Sequence, residues 1–175
     1  MKKITISLIL ISVFYISISN IMAKSLEIPE DAIRIRVVPN SNSNYDQNVK
    51  TKVKDKLQIS MYDMLKEAKT SKEAKQIIKN NLNSIDNDVK KVLNKEKYNK
   101  DYKINFGYNY FPEKEYKGIK YEEGYYESLL VTLGEGKGDN WWCVLFPPLC
   151  LIEAEENTDV EYKSFVKEIL DKYLK

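Results

Sequence analysis

The hydrophobic period of this chain switches from 3.6 to 2 near Lys100, behind the long helical block, and that switch limits its fold more than any other feature. Before it, apolar residues recur every three to four positions. After it, they alternate with polar ones. Val49, Val53, Leu57, Met61, Met64, Leu65 and Ala68 predict a long amphipathic helix over residues 45–69. The polar turn of residues 40–44 supplies its cap. Thr70 and Glu73 have capping-box spacing for a second helix. Its stripe runs through Ala74, Ile77, Ile78, Leu82, Ile85, Val89, Val92 and Leu93 and ends before Tyr98. With so short a connection, the two should form an antiparallel pair. Lysines fill their outer faces, as a solvated surface or a membrane-facing one.

Strands flank this helical block. Residues 32–38 alternate β-branched side chains with Arg34 and Arg36, which predicts a half-buried strand with Ile33, Ile35 and Val37 on one face. These two are the only arginines in a lysine-rich chain. Arginine suits partly buried or bidentate pairing, so they read either as structural ion-pair partners or as a partner contact. Downstream, Tyr102, Ile104, Phe106, Tyr108 and Tyr110 alternate with Lys103, Asn105, Gly107 and Asn109. This stripe is a sheet's core face or, alternatively, a binding platform. Residues 116–121 read as a hairpin connection, and residues 125–133 as a strand with Leu129, Val131 and Leu133 inward. Thr158 and Glu161 repeat the capping-box spacing before a last helix carrying Val160, Phe165, Val166, Ile169, Leu170 and Tyr173. The expected fold is α/β (α+β): a mostly antiparallel sheet of three to four strands, with the helix pair and the C-terminal helix packed on it.

Lys2-Lys3 followed by an apolar run over residues 4–23 marks a signal peptide or an N-terminal membrane anchor. Residues 24–31 would form a stalk, and residues 32–175 a single exported domain. Without the two leading lysines the chain has 26 basic and 26 acidic residues, which argues against a nucleic-acid binder. There is no histidine, so nucleophile systems and zinc sites that need imidazole are excluded. No cofactor is expected.

Residues 134–150 hold half of the glycines, both tryptophans, both cysteines and the pair Pro147-Pro148. Gly134, Gly136 and Gly138 permit positive φ or the close approach of another chain, and Lys137, Asp139 and Asn140 offer polar contacts. The run lacks the ending of a phosphate loop. Cys143 and Cys150 read as a disulfide, as buried thiols or, less aptly without histidine, as a metal site. Trp141 and Trp142, adjacent on a strand, must point to opposite faces, so the pair is either core or in part an exposed aromatic surface. Glu135 and Asp139 are the carboxylates of the segment, and a glycan hydrolase would have to use them.

That segment, G-E-G-K-G-D-N-W-W-C-V-L-F-P-P-L-C, resembles the signature of the stage II sporulation protein R family. The run I-R-I-R-V-V-P-N-S-N-S over residues 33–43, followed by Asp46-Gln47, is similar to that family's opening. Phe111-Pro112 and Gly124-Tyr125-Tyr126-Glu127 also fit. The resemblance covers nearly the whole expected exported domain. It departs at Pro39, directly before Asn40, and at Ile21, where a cleavage site prefers a small residue.

The resemblance implies a developmental signal rather than an enzyme. Such a protein is made in the forespore and exported to the space between the two sporangial membranes. There it triggers a membrane-embedded aspartic protease that processes the sigma-E precursor. Its own membrane contact would be confined to the N-terminal segment. On this reading Arg34, Arg36, Glu135, Lys137, Asp139, Asn140, Trp141, Trp142, Pro147 and Pro148 are the expected partner-binding residues.

Overall fold

The computed structural model describes residues 29–116 and 119–147. The elements run β1 (Ile33–Val38), α1 (Asn44–Leu65), α2 (Ser71–Asn80), α3 (Leu82–Lys95), β2 (Tyr102–Phe111), β3 (Lys114–Tyr116), β4 (Ile119–Tyr121), β5 (Gly124–Leu133) and β6 (Trp141–Phe146). The helical block and the strands fall on the expected sides of Lys100. Among the described residues no helix is long and apolar enough to cross a membrane. The N-terminal segment, Pro148, Cys150 and the expected last helix lie outside the described residues.

Two expectations need correction. First, the four-stranded sheet has the expected antiparallel majority, two pairings of three, but it is mixed, because β1 and β5 run parallel. Its order is β2-β5-β1-β6, with β1 parallel to β5 and antiparallel to β6, and β2 antiparallel to β5. Periodicity reports which residues share a face but not which distant strand lies alongside, so the parallel pairing was not legible locally. A separate two-stranded hairpin, β3 with β4, occupies the expected hairpin connection.

Second, three helices stand where two were expected. Asn81 departs from helical geometry (φ −110°, ψ 12°), and its side-chain amide donates to the Ile77 carbonyl at 2.8 Å. That local bond competes with continuation of the helix. The apolar stripe nevertheless carries through, because Ala74, Ile78, Ile85, Val89 and Leu93 are all buried. The Thr70 cap forms as the spacing predicts, with Thr70 Oγ1 accepting from the Glu73 amide at 3.2 Å, while the Glu73 carboxylate accepts from the Lys69 amide at 2.8 Å, one residue before the N-cap.

The core lies between helices and sheet. Ile33, Ile35 and Val37 of β1 and Leu129, Val131 and Leu133 of β5 are fully buried against Val49, Val53, Leu57, Met61 and Leu65 of α1. Tyr102, Ile104 and Phe106 flank this core, but the rest of the stripe does not, because Tyr108 is 70% and Tyr110 46% exposed. In this half of β2 it is the opposite face that is covered, with Asn109 and Phe111 buried.

Candidate functional site

Parallel pairing determines where the glycine-rich loop must go. β1 and β5 end at the same edge of the sheet, and β6 lies beyond β1, two strand spacings from β5 or about 10 Å. The loop from Leu133 to Trp141 therefore crosses the exit of β1, where the chain turns through Pro39, Asn40, Ser41 and Asn42 into α1. Two backbones share one corner, and glycine makes that possible. Gly134 and Gly136 adopt φ of +57° and +65°. A Cβ on Gly138 would fall 2.3 Å from the Ser41 carbonyl oxygen. The close approach expected of these glycines is thus made within the chain itself.

Hydrogen bonds seal the crossing. The amides of Lys137 and Gly138 donate to the carbonyls of Asn40 and Pro39, each at 3.1 Å. The Glu135 amide donates to Asn40 Oδ1 at 3.1 Å, and the Asp139 amide to Asn42 Oδ1 at 2.6 Å. Lys50 Nζ, from α1, reaches the Asp139 carbonyl at 3.0 Å. Beneath the corner sits Asp46, only 2% exposed. Its carboxylate accepts from Ser41 Oγ at 2.5 Å, Asn40 Nδ2 at 2.9 Å and Lys100 Nζ at 3.3 Å. Burial pushes its pKa up, but the hydrogen bonds from Ser41, Asn40, Lys100 and Ser43 outweigh it and lower the value to about 2. Asp46 is therefore an ionised anchor for the turn that receives the loop.

The sheet face turned away from the helices carries a second cluster. Arg34, 6% exposed, sets its guanidinium carbon 3.4 Å from the Tyr126 ring centre, 5.4 Å from that of Trp142 and 5.6 Å from that of Phe111. Arg36 lies 5.5 Å from the Phe111 ring and donates from Nη1 to the Tyr110 carbonyl at 2.9 Å. Burial lowers the Arg36 pKa. Both arginines thus sit among aromatic rings. Phe111 meets Trp142 edge-on at 6.0 Å.

The expected site residues are consequently divided. Glu135, Lys137, Asp139 and Asn140 belong to the corner; Arg34, Arg36 and Trp142 belong to the aromatic face. Trp141 points the other way, packs at the edge of the main core and has Lys54 Nζ 5.8 Å from its ring centre. Asn140 is half-buried, and its Oδ1 is buried without a hydrogen-bond partner among the described residues. Pro147, buried, follows β6 after a cis peptide bond. Cys143 lies half-buried on β6, while Cys150 and Pro148 fall outside the described residues.

The glycan-hydrolase geometry finds no support at Glu135. Its exposed carboxylate pairs with Lys137 Nζ at 2.6 Å, and that bond holds its pKa below the usual value. A general acid needs the opposite shift. No group of Cys, Asp and Glu among the described residues is arranged to hold a metal ion.

Sequence reasoning missed Asn40, Asp46, Lys100, Phe111 and Tyr126 as parts of these clusters. The N-S-N-S run and Asp46 three residues after Ser43 were visible, but they read equally well as an ordinary helix cap, which Ser43 also makes.

A family model described as stage II sporulation protein R matches residues 29–156. The curated stage II sporulation protein R of Bacillus subtilis (strain 168) is 37% identical over 134 residues. That alignment takes in 77% of this chain, which spans 60% of the relative's length. No solved structure matches. With the family model covering both the β1 turn and the glycine loop that crosses it, the chain belongs to the stage II sporulation protein R family.

Proposed function

We propose that this protein is an exported sporulation signal that activates a membrane-embedded aspartic protease and so promotes processing of the sigma-E precursor. Family membership over residues 29–156 carries the reading. The basic opening and apolar run of residues 1–23 support export from the forespore to the intermembrane space, by cleavage or with the segment kept as an anchor. In that oxidising setting Cys143 and Cys150 close a disulfide. The protein works by binding. The corner residues Glu135, Lys137, Asp139 and Asn140 and the aromatic face with Arg36 and Trp142, braced from within by the buried Arg34, are the surfaces offered to the protease, and a rigid, hydrogen-bonded loop suits recognition because little order is lost on docking.

The test is co-expression of this protein, the candidate protease and the sigma precursor in a heterologous host, with precursor cleavage as the readout. Cleavage should require the present chain and should fail when residues 2–23 are deleted in intact cells. Lys137→Ala should reduce cleavage while leaving the melting temperature unchanged. Glu135→Gln with Asp139→Asn should lower signalling by degrees. Complete loss of signalling in that doubly substituted protein, with the fold intact, would instead favour carboxylate chemistry.

A further inference from the structure

Among the described residues β2 is an edge of the sheet, and it carries few of the usual guards. It runs ten residues, and its pairing with β5 is unbroken from Tyr102↔Leu133 to Phe111↔Gly124. No strand lies on its other side among the described residues. Protein edges are ordinarily blunted by bulges, prolines or several charges. β2 has no bulge and no proline, and Lys103 is its one charge. Tyr108 and Tyr110 on this strand, with Tyr125 beside them at 71% exposure, are three of the five large hydrophobic side chains exposed among the described residues.

We infer that the outer edge of β2 pairs antiparallel with β2 of a second copy of this chain, joining two sheets across a two-fold axis. Strand geometry makes the edge self-complementary. Along a regular strand, alternate residues direct their N–H and C=O groups to opposite edges. When β2 meets its own copy, opposing residues must both direct these groups across the seam or both direct them away. Opposing residue numbers therefore share parity, and like faces meet like faces. The registers centred on Phe106 and on Gly107 each pair nine residues. The first sets the exposed Tyr108 and Tyr110 of one copy against the half-buried Ile104 and Tyr102 of the other, and the second sets them against Phe106 and Ile104. Aromatic and β-branched cross-strand pairs of this kind are favourable, and neither register brings Lys103 opposite its own copy. The two-fold axis makes every contact away from the axis count twice. This dimer does not depend on the signalling role and is measured on the purified protein alone.

Sedimentation velocity over a concentration series, with residue-resolved amide exchange, tests it. The expected species is a reversible dimer. In a monomer only the alternate β2 amides facing β5 are protected; in this dimer the intervening amides are protected too. Tyr108→Lys should weaken dimerisation at least tenfold and release the outward amides, with an unchanged melting temperature for the monomer because Tyr108 is largely exposed. Two results overturn the inference. One is a monomer at every concentration, with the outward β2 amides exchanging freely. The other is a dimer whose outward β2 amides still exchange, which places the interface elsewhere.

Discussion

The Arg34 guanidinium carbon lies 3.4 Å from the centre of the Tyr126 ring, the shortest of its three aromatic contacts. The planar cation stacks where an ammonium could not spread over a ring, so Arg34→Lys is not conservative here. We expect that substitution to cost about 1–2 kcal/mol in a denaturant titration, with Tyr126→Leu costing a similar amount. Near-additive losses in the double variant would show that the stacked pair is not coupled.

Crowding at the β1 exit sets a graded response to added methyl groups. Gly138→Ala drives a Cβ onto backbone atoms of Ser41, which have no free rotation to escape it. A loss of roughly 2–3 kcal/mol is expected. Gly134→Ala combines a φ of +57° with a contact to the Asn40 side chain and should also destabilise. Gly107→Ala has nothing within 4 Å of its Cβ, so thermal melting should show no loss.

Asp46 makes stability depend on acid. Its folded pKa of about 2 lies below the unfolded 3.8, so its contribution is complete above the unfolded value and disappears as pH falls through the folded one. At about 1.36 kcal/mol per pKa unit the contribution is roughly 2 kcal/mol. Asp46→Asn should be destabilised by about that amount at pH 7 and should flatten the stability profile between pH 4 and pH 2 in matched urea titrations.

Past the end of helix α3, Lys97 takes a φ of +53°, where its amide donates to the Asn94 carbonyl at 3.1 Å and that of Tyr98 to the Leu93 carbonyl at 2.9 Å. This is the glycine-type helix stop occupied by lysine. Lys97→Gly should remove about 1 kcal/mol of backbone strain and raise the melting temperature by a few degrees. An unchanged or lower value would show that the Lys97 side chain offsets the strain.

Chemistry at the cysteines is a separate question from fold. Exported protein purified without reductant should take up no alkylating reagent at Cys143 or Cys150 until it is reduced. Two labelled thiols in the unreduced native protein would refute the pairing.

Local periodicity by itself determined which side chains share a face with the core. Ile33, Ile35 and Val37, then Val49, Val53, Leu57, Met61 and Leu65 of α1, and Leu129, Val131 and Leu133 are buried as their spacing requires, because a period of 2 or 3.6 maps residue number directly onto a face. Composition likewise excluded imidazole chemistry. Tertiary structure decided the rest. Whether β1 lies parallel to β5 depends on contacts almost a hundred residues apart, which no local pattern encodes. From that one pairing follow the crossing of the glycine loop over residues 39–42, the burial of Asp46 beneath it, and the separation of Arg34 and Trp142 from Glu135 and Lys137. Tyr108 and Tyr110 show the limit most plainly: they continue the spacing of Tyr102, Ile104 and Phe106, yet they are exposed, since a strand's alternation says which residues share a face and not how far the opposing layer extends over it.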